Sequence, residues 1–186
     1  MKTLFSKILA LTTLSGVLAL PLTAANSDPG AVDLGQFTPS TERAEFVEIQ
    51  IKSNLIGLVA GLARQAEPEV ADLLQSLRSI RVNVIGLGED NRAEVTKRVQ
   101  DLRRQLDRDG WDRIVTVQEK DQDVGVYVKL RGQEAFEGIV VTVLDGGKEA
   151  VLINVAGDLP PEKLSLIGER FNIEPIRKAG EALKKS

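Results

Sequence analysis

Arginine and lysine crowd one stretch of the chain. Arg92, Lys97, Arg98, Arg103, Arg104 and Arg108 are interleaved there with Glu94, Asp101, Asp107 and Asp109. Guanidinium groups hold carboxylates and phosphates through paired N–H donors. A pure anion-binding face would not carry four carboxylates. The stretch therefore reads mainly as a solvated helix face laced with local ion pairs. Its functional reading is an acidic partner docking on Arg103, Arg104 and Arg108.

Other constellations fall short of a known chemistry. Gly86-Leu87-Gly88 stands where a dinucleotide loop would, between a strand and a helix, but the third glycine position is Asn91. A plain turn into a capped helix is favoured. Gly57 and Gly61 are spaced for close helix approach, but the segment is too short to span a membrane, and the favoured reading is that small residues let the helix lie tight on the sheet, with a partner groove as the alternative. Glu67, Glu69 and Asp72 lack the alternating spacing and glycine of a calcium loop. Ser76 and Ser79 have no histidine to activate them. The chain has no histidine and no cysteine, so imidazole and thiolate metal sites are excluded along with cysteine catalysis. No catalytic, cofactor-binding or metal-binding residue is assigned, and no cofactor is expected. Tyr127 reads as a packing residue with a wet hydroxyl.

The elements that must position these groups follow from apolar periodicity. Val47, Ile49 and Ile51 alternate with Glu48 and Gln50 as a half-buried strand. Leu55 to Ala66 reads as a short apolar helix. A second helix opens at Pro68, with Val70, Leu73, Leu74 and Leu77 at helical spacing. Residues 80–85 make the next strand. Asn91 and Glu94 approximate a capping box for a helix running to about Arg108, striped by Val95, Val99, Leu102 and Leu106. Gly110 suits a left-handed C-cap and Trp111 folds back onto the core. Four strands follow, over 112–118 and through Val124–Leu130, Ile139–Val143 and Val151–Val155. Asp145-Gly146-Gly147-Lys148 reads as a hairpin turn using positive φ at glycine. A last helix is expected from Pro161 through Phe171. Short connections demand antiparallel pairing. The fold class is α+β, a mostly antiparallel sheet of about six strands with helices packed on one face.

The N-terminus carries Lys2 and Lys7, an apolar stretch over Ile8–Leu20, then Pro21 and small residues to Ala25. This is the layout of a cleavable signal peptide. The expected organisation is a signal peptide at 1–25, a flexible leader at 26–44, one domain over 45–171 and a polar tail at 172–186. Cleavage would shift the formal charge from −3 to −5. That acidity argues against nucleic acid as a partner, and no stable membrane span would remain.

The second half carries a resemblance. Gly110-Trp111-Asp112-Arg113-Ile114-Val115 opens a strand, and Val126-Tyr127-Val128-Lys129 and Glu137-Gly138-Ile139-Val140-Val141 follow. Ile153-Asn154-Val155-Ala156-Gly157-Asp158-Leu159 closes the segment. In these motifs the chain resembles the bacterial domain of unknown function 4252 family, in outline from Glu45 to Phe171. The resemblance implies an exported envelope protein without assigned activity or catalytic residues. Genes of such proteins often sit near those for extracytoplasmic-function sigma factors, an association only.

Two functions lead on these grounds, with an enzyme using carboxylates ranked third. One is a non-enzymatic binding or envelope-sensing accessory protein, periplasmic or extracellular, acting on another envelope protein. The alternative is a carrier of a lipid or other apolar ligand, held in a cavity between sheet and helices.

Overall fold

The computed structural model describes residues 28–42, 45–132 and 135–160, together with Lys163, Leu166, Gly168, Glu169 and Arg177. The expected signal peptide lies outside the described residues, as do most of the last helix and the tail. Among the described residues nine elements follow one another: β1 (Phe46–Lys52), α1 (Ser53–Ala63), α2 (Pro68–Ser76), β2 (Leu77–Gly86), α3 (Arg92–Arg108), β3 (Asp112–Gln118), β4 (Gln122–Arg131), β5 (Ala135–Asp145) and β6 (Glu149–Leu159). The strands form one six-stranded sheet in the order β1-β2-β6-β5-β4-β3. Every adjacent pair is antiparallel.

The alternation of apolar residues gives the sheet two buried faces. Val124, Val126, Val128, Ile139, Val141 and Val155 share a cluster with Ile56 of α1 and Leu73 of α2. Their neighbours in sequence, Tyr127, Val140 and Leu152, point the other way and meet Val95, Val99, Leu102 and Leu106 of α3. The helices thus divide. The pair α1 and α2 covers one face, whereas α3 crosses the opposite face to carry the chain from β2 to the far edge at β3. A strand buried on both sides needs such cover on both sides, because successive side chains point oppositely. Of the six meander positions expected inside, Val126, Val128, Val141 and Val155 are buried and Val143 and Ile153 half-buried.

Several local expectations change. Leu77 does not extend α2: its backbone is extended (φ −86°, ψ 140°) and it opens β2 opposite Gly157. Burial of Leu77 against the sheet outweighs helix continuation. Asn91 does not cap α3. Its Oδ1 accepts from Gly88 N at 2.9 Å and its Nδ2 donates to the Gly86 carbonyl at 3.0 Å, so it staples the preceding loop. Asp145–Lys148 is a turn as expected, yet neither glycine there has positive φ. Gly146 is needed for a different reason: a Cβ on it would lie 2.9 Å from the Asp121 carbonyl oxygen of the neighbouring turn. Gly110 does take the left-handed conformation, φ 74°. The Trp111 N–H then bonds the Leu106 carbonyl at 3.0 Å, closing a Schellman end.

The described part of the leader, residues 28–42, has no helix or strand, but it is pinned. Val32 and Leu34 are buried beside α3. Asn154, fully buried in β6, accepts from Val32 N at 2.9 Å and donates to the carbonyls of Gly30 (2.9 Å) and Ile139 (3.1 Å). Gly30 and Gly138 let the two backbones approach, since a Cβ on Gly30 would sit 1.6 Å from the Glu137 oxygen.

Candidate functional site

The three arginines singled out in the sequence do not act together. Arg103 turns inward from α3. Its Nη1 reaches both carboxylate oxygens of Asp123 at 2.9 and 2.8 Å, and its Nε donates to Thr142 Oγ1 at 2.9 Å. Gly125, between these strands, leaves the room for it: a Cβ there would crowd Thr142 Oγ1 and the Tyr127 ring at 3.0 Å. With only 13% of its side chain exposed, Arg103 is a structural clamp.

Arg104 and Arg108 face outward and share a groove with Arg98. The groove, about 450 Å³, runs between α3 and the leader at Asp33, Leu34 and Gly35, with Asp101, Leu102 and Gln105 completing its walls. Gly35 bends the leader with φ 83°, and its N–H bonds Asp33 Oδ1 at 2.9 Å. Burial of Val32 and Leu34 fixes the other end of this wall. The cavity is thus a charged groove on the outer flank of α3, a different place from the apolar cavity under the helices that a carrier needs.

Charge in the groove is uneven. Arg98 pairs with Glu94 at 2.8 Å, donates to the Gln36 carbonyl and lies over the Phe37 ring, 5.6 Å from its centroid. Arg104 pairs with Asp101. Asp101 also accepts from Lys97 at 2.9 Å, and that hydrogen bond, with the attraction of both cations, holds its carboxyl below the usual range. Arg108 makes no ion pair or side-chain hydrogen bond among the described residues. Three guanidiniums therefore meet three carboxylates, Asp33 and Asp101 on the walls and Glu94 beside Arg98, and Arg104 and Lys97 share Asp101. Of the arginines singled out in the sequence, Arg104 and Arg108 line the groove; Arg98, counted there only within the solvated face, joins them, as does the leader wall. The spacing Arg98, Gln105, Arg108 marks one helix face and could have singled out Arg98. The leader wall depends on a long-range contact.

The remaining constellations resolve into structure. Gly88 packs against the leader, where a Cβ would lie 2.2 Å from Ser40 Oγ and 2.8 Å from Asp90 Oδ1. Asp90 accepts from Ser40 Oγ (2.6 Å), Thr41 N (2.8 Å) and Thr41 Oγ1 (2.7 Å). These bonds, that from Ser40 foremost, lower its pKa to about 2. No group of three or more acidic side chains among the described residues is placed to hold a metal ion, so Glu67, Glu69 and Asp72 do not form one. Ser76 Oγ donates to the Leu73 carbonyl at 2.6 Å. Ser79 stands opposite Lys52 in register, with no hydrogen bond between the side chains. The Tyr127 hydroxyl is not wet: it is buried without a hydrogen-bond partner, and Arg113 lies over the ring 5.0 Å from its centroid. Burial pushes that phenol's pKa up, against the pull of the Arg113 and Arg103 charges.

Residues 40–167 match the family described as domain of unknown function (DUF4252). The chain belongs to this bacterial family. The match spans most of the described residues, from Ser40 at the Asp90 staple through all six strands. No curated protein and no solved structure matches the chain. Membership in DUF4252 names no chemistry, so the groove has to be read from its own residues. No helix among the described residues is long and apolar enough to cross a membrane.

Proposed function

We propose that this DUF4252 protein is a non-enzymatic accessory protein of the bacterial envelope that binds an acidic partner in the groove between α3 and the leader. The observation that carries the reading is Arg108, a guanidinium facing a groove of about 450 Å³ beside Arg98 and Arg104 with no carboxylate of its own. Arginines set along one wall of such a groove recognise carboxylates by geometry as well as charge. The described residues lining the groove include no serine, threonine, tyrosine or lysine to act as nucleophile, which favours binding over turnover. Export rests on the charged, apolar and small-residue zones of residues 1–25.

The test uses two baits, the exported chain and its Arg104→Glu/Arg108→Glu variant, against solubilised envelope proteins. A partner retained by the first and lost by the second, and released by salt, supports the reading. Equal retention by both baits contradicts it. Saturable turnover of an ester, phosphate, glycoside or peptide substrate, abolished by changing one carboxylate or serine in a folded variant, contradicts the non-enzymatic half.

A further inference from the structure

We infer that two copies of this chain associate through the outer edges of β1, extending the sheet across a two-fold axis and bringing α1 against α1. Three observations meet at that edge.

The first is the edge itself. Among the described residues, β1 and β3 each have a sheet neighbour on one side only, which leaves a row of backbone groups on the other. β3 is blunted by a register shift between Arg113 and Val115. β1 has no such defect, and it pairs with β2 in unbroken register from Phe46 to Lys52. Proteins that stay monomeric protect edges of this kind with bulges, prolines, inward charges or lysines; β1 has no bulge, proline or inward charge, and its two exposed charges, Glu48 and Lys52, are of opposite sign.

The second is self-complementarity. In an antiparallel pairing centred on Ile49, Val47 faces the partner's Ile51 and Glu48 faces the partner's Gln50. Lys52 then lies diagonally from the partner's Glu48, within reach of a long side chain. Apolar rows meet apolar rows, and opposite charges neighbour each other. Shifting the centre to Glu48 would set two carboxylates face to face, which disfavours that register.

The third is the apolar surface beside the edge. Val47 and Ile49 are 48% and 42% exposed, on the sheet face that carries α1 and α2. α1 rests on β1 and β2, with α2 further in over β2 and β6, so α1 flanks this edge. Only Ile56 and Ala60 of α1 are buried, whereas Leu58 and Leu62 are 64% and 77% exposed. No charge interrupts the helix from Ser53 to Ala63. Gly57 and Gly61 have nothing within 4 Å of where a Cβ would be, which leaves room for a second helix to approach closely. A contiguous apolar surface of this sort marks an interaction site.

The absence of cysteine makes the test clean. The chain purified after export is sized by light scattering, with single cysteines introduced one at a time. A dimer is expected, and Ile49→Cys should cross-link to itself under mild oxidation, because directly opposed antiparallel residues have a Cα separation that a disulfide spans. Ile114→Cys on β3 should stay uncross-linked. Leu58→Glu/Leu62→Glu, changing only exposed side chains, should give a folded monomer. A monomeric wild-type chain overturns the inference. If that monomer sediments with anionic phospholipid vesicles, α1 belongs to a membrane surface. If it dimerises only after removal of residues 161–186, the chain's own C-terminal segment is the cover. A dimer that cross-links through Ile114→Cys and not Ile49→Cys, or that survives both α1 substitutions, overturns the inference as well.

Discussion

Arg103 of α3 holds both carboxylate oxygens of Asp123 on β4, at 2.9 and 2.8 Å, and so ties the crossing helix to the meander. The pair is largely shielded, with 13% and 33% of the two side chains exposed. Removing one partner strands the other and frees Thr142 Oγ1 from its donor. Arg103→Ala should therefore destabilise the domain by about 1–3 kcal/mol. Arg108→Ala, one helix turn further on, should stay within about 0.5 kcal/mol of wild type, as surface changes do. Urea denaturation of the two variants measures the contrast. Equal midpoints would show that Arg103 is as dispensable as its neighbours.

Asn154 is the hinge pin of the leader. It satisfies the Val32 N–H and two carbonyls in a fully buried position. Asn154→Ala removes all three hydrogen bonds from a fully buried position and should cost about 2–4 kcal/mol. Limited proteolysis should then cut within residues 28–42 while the strands resist. A leader as protected as in wild type would mean that Val32 and Leu34 alone hold it.

Val141 tests the burial of the meander. It lies 1% exposed in the cluster shared with α1 and α2. Val141→Ala should lower stability by about 1–3 kcal/mol through lost burial and a small cavity. An unchanged denaturation midpoint would count against the register of β5.

Asp90 predicts an acid response. Its folded pKa of about 2 lies below the ordinary 3.8, so the folded state favours the charged form. The contribution is fully present above about pH 4 and is lost as pH falls through the folded value. Asp90→Asn should flatten the stability curve between about pH 4 and pH 2 relative to wild type. Parallel curves over that window would remove Asp90 from the linkage. Its solvent exposure keeps the effect small.

Much of this architecture is legible in the residues. The alternations in β1 and β4–β6, the stripe Val95, Val99, Leu102, Leu106 and the Gly110 cap each express a local period or backbone requirement, and local rules read them directly. What escapes is set by distant contacts. Val32 and Leu34 look like loop residues until Asn154, far along the chain, hydrogen-bonds the backbone beside them. Arg103, Arg104 and Arg108 are chemically alike, and only Asp123 across the sheet separates the buried one from the exposed two. The placement of α3 opposite α1 and α2 is implicit in the doubly apolar strands: Val126, Tyr127 and Val128 in succession leave no face free for water.

A partner held by Arg98, Arg104 and Arg108 as proposed should be replaceable by a simple acidic peptide. Calorimetric titration of the wild-type chain with oligoglutamate measures this. Saturable binding is expected, weakened by salt and weakened at least about tenfold, ~1.4 kcal/mol, in Arg104→Ala/Arg108→Ala. Binding of equal strength in that variant, or no heat of binding at low ionic strength, would contradict it.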